Sequence, residues 1–467
     1  MLYFCGMLSI DRIKSYRGEL KSTFYLGVPI VVGQLGLVLM GVGDTVQVGR
    51  LGAAPIAASG FANAMFWIVS IVGIGSMMVL GPQVAMAKAK NDFAECNRIL
   101  RASLVLGAVW GLLTCGVFVL LAFHFQWFGQ KPEVQALAVE YSFLVAASAI
   151  PLMVFAALRQ FTDGLSFSRV TMVITLGGMV LDVFLNWVFI NGKLGMPALG
   201  LNGAGLTTII SRVAMAVGLG LYIFKDTIFR PFVSVVSHNP IMPLLLKLTR
   251  LGLPGGLQLF FEIAAFSGAT VMAGWLGTAQ QAAHAVALNM ASVSYMMAAG
   301  ISSAGAIRVG QSMAVRSRSG IVRSGTAALL LSVAFMGCTC LVFILIPGFL
   351  TRLYTTDAQV VAYAASLLVI AGFFQLSDGM QVVGLGVLRG IADVNVPTYI
   401  TVVAYWVIGL PMAYVFAFPL GMDIQGVWYG LLLGLSVSAL LLLARFYRLT
   451  TDSGFEFRDV PPEMLHG

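Results

Sequence analysis

The sequence predicts an all-α integral membrane protein with twelve transmembrane helices in two parallel six-helix halves. Three observations predict it: a very apolar composition, an internal repeat covering most of the chain, and a one-sided distribution of Lys and Arg between the loops.

Of the 467 residues 59% are hydrophobic and 10% charged, whereas a soluble domain carries about 25% charged residues. The 52 glycines suit helices packed through small residues in lipid, where Leu on Leu gains nothing over Leu on acyl chain. The five cysteines, Cys5, Cys96, Cys115, Cys338 and Cys340, make no metal or disulfide framework and read as packing residues. The apolar start, MLYFCGMLSI, runs into DRIKSYRGELK without a cleavage-site pattern, so it reads as an amphipathic segment on the inner surface and not as a removed signal peptide.

Leu26 to Met65 aligns without a gap on Leu251 to Met290, with 14 identities in 40 positions at an offset of 225. Gly27 and Pro29 meet Gly252 and Pro254, and Thr45 and Val46 meet Thr270 and Val271. At an offset of 226, Val170, Ile174, Thr175, Leu194, Gly195 and Met196 meet Val396, Ile400, Thr401, Leu420, Gly421 and Met422. Solenoid units run to roughly 20 to 50 residues, so this is a duplicated half-protein.

A bilayer core of about 30 Å takes about 20 apolar residues per helix. On that ruler spans begin near Tyr25, Pro55, Leu100, Ala136, Val170 and Leu201, and again near Leu251, Gln281, Gly325, Val360, Pro397 and Ile424. Six spans per half make both halves enter from the same side, as parallel repeats do. With these spans, 22 Lys and Arg fall on one side and only Arg50, Lys131, Lys193 and Arg352 on the other. Both termini are therefore expected in the cytoplasm. The net charge of +8 is explained by topology, without nucleic acid. The resulting divisions are an N-terminal segment 1–23, a first lobe 24–224, a cytoplasmic linker 225–248, a second lobe 249–446 and a cytoplasmic tail 447–467. Pro29 and Pro254, equivalent by the repeat, each remove a helix hydrogen bond and permit a bend.

Five ionisable residues lie inside spans: Asp44, Asp182, Glu262, Asp378 and Arg212. A carboxylate at a helix centre costs roughly 2.5 to 3.5 kcal/mol on insertion scales, so four together point to an ion or proton pathway. Glu262 and Asp378 stand 12 and 11 residues from the cytoplasmic Arg250 and Arg389, roughly 16 to 18 Å deep, near the midplane. Asp44 and Asn186 stand 6 and 7 residues from the outer Arg50 and Lys193, about 10 Å below the outer surface, and Thr208 of span 6 matches them in depth. Asp182 is one turn deeper than Asn186 and Arg212 one turn deeper than Thr208, so Asp182 either forms an ion pair with Arg212 or joins Asp44, Asn186, Thr208, Glu262 and Asp378 as a cation-coupling residue. Pairing would make Asp182 structural and not ion-carrying.

These residues sit in stretches that resemble the multidrug and toxic-compound extrusion (MATE) family and its NorM-like branch. The matching stretches are GVGDTVQVGRLGAAPIAASG, GPQVAMAKAKND, LNWVFINGKLGMPALGLNGAG, LQLFFEIAAFS, SSAGAIRVGQSMA and FFQLSDGMQVVGLGVLRG. The resemblance implies a V-shaped pair of six-helix bundles, without a cofactor, that exports amphipathic organic cations in exchange for Na+ or H+. It implies that Asp44 is the first-lobe cation carboxylate with Asn186 and Thr208 beside it, and that Glu262 and Asp378 are the second-lobe pair. Asp182 departs from the asparagine usual in NorM-like members, which bears on how the first-lobe site is charged. Na+ is expected at Glu262 and Asp378 or at Asp44 and Asn186. The substrate-binding set is Asp44, Glu262, Asp378, Phe260, Phe261, Tyr295 and Gln375. Phe61, Trp67, Phe266, Phe373 and Phe374 are further candidates for cation-π contact in the same cavity.

A carboxylate taken out of water holds a proton more readily, while carboxylate, hydroxyl and amide oxygens also suit Na+, so the residues accommodate either ion. Arrival of the ion removes the negative charge that held the drug, which couples the two. An enzyme is disfavoured. Gly41 to Asp44 reads Gly-x-Gly-Asp, as in intramembrane aspartyl proteases, but the Tyr-Asp partner motif is absent. No phosphate-cradling loop or nucleophile with its base occurs either. The alternative transport reading, a flippase for lipid-linked sugars, wants Arg and Lys for pyrophosphate, against four acids and one base here. A monomer among membrane lipids, in a bacterial inner membrane, completes the expectation.

Overall fold

The computed structural model describes residues 10–235, 237 and 239–451, the side chains of 10–15 excepted. The apolar start before Ile10 and the tail from 452 onward lie outside the described residues.

Among the described residues all regular structure is helical, and twelve stretches are long and apolar enough to cross a membrane. Spans 1 to 6 are Tyr16–Leu51, Ala53–Ala89, Phe93–Ala122, Pro132–Gly164, Ser168–Asn191 and Gly200–Lys225. Spans 7 to 12 are Met242–Leu276, Thr278–Ala314, Arg318–Leu345, Ala358–Gly390, Asn395–Ala417 and Asp423–Thr451. Each helix starts ahead of the apolar stretch that announces it, by one residue in span 6 and nine in span 7. The chain satisfies its backbone by continuing the helix into the polar layer.

The duplication is written into the turns. Gly52 (φ +113°) and Gly277 (φ +152°), 225 residues apart, precede spans 2 and 8 in a conformation that disfavours a side chain. Asn91 and Arg316, also 225 apart, are both left-handed. The residues that follow them, Asp92 and Ser317, each cap the next helix by accepting from the backbone N–H of Glu95 and Gly320. Ser166 and Ala392, and then Gly195 and Gly421, repeat the pattern at an offset of 226. Thr175 and Thr401 each donate to the carbonyl four residues back. Pro29 and Pro254 both lie within continuous helices. Span 11 departs from its counterpart, span 5, by a stretch of π-helix at Val403–Gly409, a local widening that accommodates one extra residue per turn.

Two compact units emerge from the contacts. One comprises Leu26–Val84 and Asp92–Phe266; the other comprises Ala85–Asn91 and the described parts of Met1–Tyr25 and Ser267–Gly467. The first unit therefore holds the body of span 1, spans 2 to 6 almost whole and the body of span 7. The reason is a backbone-close crossing of spans 2 and 7. Gly252 and Gly256 lie against the carbonyls of Ser76 and Val72, and Gly75 lies against Gly256, a small-residue crossing of the kind lipid favours. Its core runs through Phe66, Phe118, Phe125, Tyr141 and Ile190. The 225–248 connection is pinned to span 3: Asn97 donates to the Val233 carbonyl and Arg98 to that of Pro240. In the other unit, Glu19 accepts from Arg308 at 2.7 Å and from Ser324 at 3.2 Å, and Asp393 pairs with Arg445.

Candidate functional site

Span 1 approaches span 5 through its glycines. A Cβ on Gly36 would meet Leu176 at 3.3 Å and one on Gly43 would meet Val183 at 3.2 Å, and the Gln47 amide donates to the Val183 carbonyl at 3.0 Å. This registers Asp44 opposite Asp182 and Asn186, which share a face four residues apart. Asn186 Nδ2 donates to Asp44 Oδ1 at 2.6 Å and to Asp182 Oδ2 at 3.2 Å. The Asp44 and Asp182 carboxyls lie close enough to act on each other electrostatically, and Ser211 of span 6 comes up on the Asp182 side. Asp182, Asn186 and Ser211 are fully buried, while Asp44 is half-buried. Asp182 Oδ1, Asn186 Oδ1 and Ser211 Oγ are buried with no hydrogen-bond partner among the described residues, so oxygen lone pairs remain available in a cluster already holding two acids.

Arg212 faces the same cluster from span 6. The expected direct Asp182–Arg212 contact is absent: among the described residues no ion pair joins them within 4 Å. Instead Arg212 Nη1 donates to Ser148 Oγ at 2.6 Å, and the guanidinium carbon lies 5.1 Å from the Phe66 ring centroid. Its long side chain reaches toward spans 4 and 2, where a hydroxyl and a π face take it, while Asp182 is engaged by Asn186. Arg212 stays within electrostatic reach of Asp44, Asp182 and Tyr141. Tyr141 receives a hydrogen bond from Asn63 Nδ2 at 3.4 Å. Thr208 spends its hydroxyl on the Ala204 carbonyl at 3.0 Å, and Ser211, one turn deeper, is the span 6 hydroxyl beside the acids. Asn63, Tyr141, Ser148 and Ser211 escape sequence reading because neutral polar groups carry no charge penalty to flag them.

Glu262 and Asp378 are each 3% exposed, one in each unit. Around span 10, Gln375 is fully buried with both amide atoms unpartnered among the described residues, and Gln381 accepts from Tyr405 at 2.9 Å. Trp428 Nε1 donates to His284 Nδ1 at 3.1 Å, and His284 Nε2 lies 3.0 Å from Thr270 Oγ1, a buried chain across spans 12, 8 and 7. Of the aromatic candidates, Phe61 packs on Phe125 and Phe128, Phe374 on Trp428, and Phe260 on Phe261. Tyr295 packs beside the buried cluster of Ala298, Met336 and Val382. Trp67 and Phe373 are exposed.

Comparison with known proteins adds the decisive observation. The MatE family model matches twice, over residues 29–188 and 254–415, the same two halves that the repeat and the turns delimit. This chain belongs to the MATE family, in its NorM-like branch. It is 35% identical to the probable multidrug resistance protein NorM of Rhizobium meliloti, over 93% of this chain and 94% of that protein. It is 32% identical to the multidrug resistance protein NorM of Vibrio cholerae, over 94% and 97% of the two chains. Solved structures share the fold: a multidrug resistance MATE transporter in an outward-facing conformation (TM-score 0.84, 19% identity, 93% and 96% coverage) and a eukaryotic MATE transporter (0.83, 18%, 92% and 96%). The MATE chain is a multi-pass integral membrane protein.

Proposed function

We propose that this MATE chain is a secondary multidrug exporter that moves amphipathic organic cations out of the cell in exchange for Na+ or H+. Asp44, Asp182 and Asn186 form the coupling site, and Glu262 and Asp378 supply further buried negative charge for ion and drug. The observation that carries the reading is the bridging of Asp44 and Asp182 by the single Asn186 amide, at 2.6 and 3.2 Å. Two acids held that close in low dielectric repel strongly, and a cation relieves the repulsion. A cationic drug and the coupling ion then compete for the negative charge of Asp44 and Asp182, so binding one expels the other. The names of the relatives support drugs as cargo, and the loop charges support cytoplasmic termini in a bacterial inner membrane. The unit of function is the monomer.

The test is efflux of ethidium from proteoliposomes with a Na+ or a pH gradient imposed and the other clamped, for the native chain, Asp44→Asn, Glu262→Gln and Asp378→Asn. Gradient-driven efflux that Asp44→Asn abolishes supports the reading. Absence of efflux under either gradient rejects it.

A further inference from the structure

We propose that a cleft between spans 11 and 12 is a binding site for an anionic phospholipid, with the lipid phosphate at Arg448 and an acyl chain between the two helices. The site stands apart from the acids of spans 1, 5, 7 and 10, and its test does not depend on drug efflux.

Spans 11 and 12 run antiparallel, and small residues hold them together along one half only. A Cβ on Gly430 would run into the backbone of Ala413, and one on Gly434 would stand 2.7 Å from the Ala404 carbonyl oxygen and 2.9 Å from the Gly409 Cα. On the other side of the π-helical stretch Val403–Gly409 lie the first two turns of span 11, Asn395–Val402, and there the helices part. They leave a cavity of about 550 Å³ walled by Val396, Ile400, Leu441, Ala444 and Leu449, the size of a small-molecule site. Val396 and Leu441 are exposed, and the apolar surface continues along span 11 through the exposed Val403 and Val407. An acyl chain thus has a path from the cavity along the helix.

Arg445 and Arg448, three residues apart and so on one helix face, complete the lining. Arg445 spends two donors on Asp393, at 2.5 and 3.1 Å. Arg448 is exposed, with no hydrogen-bond or ion-pair partner among the described residues. The site therefore carries one uncompensated positive charge, which matches the single negative charge of a phosphodiester and repels an organic cation. Val396 belongs to the first turn of span 11, where no side chain caps the free N–H groups, so the positive end of that helix adds to the attraction.

Arginines at the end of a span are expected from topology alone. Topology does not require an apolar cleft behind them. A charge at the polar surface with hydrocarbon directly beside it is complementary to a phospholipid, and basic pockets between transmembrane helices take such headgroups. Free phosphate would gain nothing from the apolar walls.

Native mass spectrometry of the full-length purified protein, titrated with phosphatidylglycerol or phosphatidylethanolamine of the same acyl chains, counts the bound lipids. We expect one phosphatidylglycerol to be retained in preference to phosphatidylethanolamine. Arg448→Gln, at an exposed position with no partner to lose, should weaken phosphatidylglycerol retention about fivefold, the effect of one cation near an anionic headgroup. Ala444→Phe, which fills the cleft, should also weaken it, and excess inorganic phosphate should not displace the lipid. Equal retention of the two lipids by the native chain overturns the proposal. So does phosphatidylglycerol binding that neither substitution changes, or displacement by inorganic phosphate. The rival occupant is the acidic tail outside the described residues, with Asp452, Glu456, Asp459 and Glu463. A native chain that retains no phosphatidylglycerol, while Asn and Gln at those four positions allow it, would assign the cleft to the tail and overturn the proposal as well.

Discussion

Asn186 reaches from span 5 to span 1 and donates to Asp44 Oδ1 at 2.6 Å, while the same nitrogen holds Asp182 Oδ2 at 3.2 Å. One amide thus fixes the spacing of two acids on different helices. Asn186→Leu keeps the volume and removes the donor. Hydrogen bonds to charged groups contribute about 1.5 to 3 kcal/mol each, so the variant loses about 2 kcal/mol or more in thermal unfolding in detergent. It also loses gradient-driven efflux. Unchanged unfolding would show that the amide does not bridge the acids.

The Trp428–His284–Thr270 chain makes a spectroscopic prediction. Indole N–H is a donor only, so His284 Nδ1 must accept and the ring must be the neutral Nε2–H tautomer donating to Thr270. Nitrogen-15 spectra of histidine-labelled protein should show one ring in that tautomer, and its signal should vanish in His284→Leu. That substitution also strands the Trp428 N–H in a site with no exposure, at a cost of about 1 to 3 kcal/mol.

The carboxylates of the site were legible because charge in lipid is costly enough to need a cause, and depth along each helix placed Asp44 beside Asn186. The direction of Arg212 was not legible: helical register fixes where a Cα lies, but a long flexible side chain ends wherever a hydroxyl and a ring receive it. Arg159 misleads in another way. Counted among cytoplasmic charges, it is 7% exposed and pairs with Asp163, because a ruler of apolar length cannot separate the last buried turn of a helix from the loop beyond it. The π-helix of span 11 has no sequence signal at all; its counterpart in span 5 is plain α-helix.

Arg159 yields the next prediction. Its Nε lies 3.6 Å from Asp163 Oδ2, and its Nη2 donates to the Ile30 carbonyl of span 1 at 3.3 Å. Asp163 also accepts from Thr171 at 2.8 Å. Removing one partner of a buried pair costs about 3 to 5 kcal/mol. Arg159→Gln should therefore unfold at markedly lower temperature than Asp163→Asn, which leaves the bond to Ile30 in place. Equal loss in both would show that the Ile30 contact contributes nothing.

The crossing of spans 2 and 7 separates two adjacent glycines. Alanine stabilises a helix interior over glycine by about 0.8 to 1 kcal/mol, so in open space either replacement should help. A Cβ on Gly255 would meet its nearest neighbour, the Gly75 carbonyl oxygen, at 3.6 Å, an ordinary contact. A Cβ on Gly256 would run into the Val72 carbonyl and stand 2.7 Å from Ser76 Oγ. The obstacle there is backbone of the opposing helix and cannot rotate away, so the two spans must separate, at an overpacking cost of about 1 to 3 kcal/mol. Gly255→Ala should thus match or exceed the native chain in melting temperature and membrane expression, and Gly256→Ala should fall below it. Two variants that melt alike would mean that the helices do not approach to backbone contact.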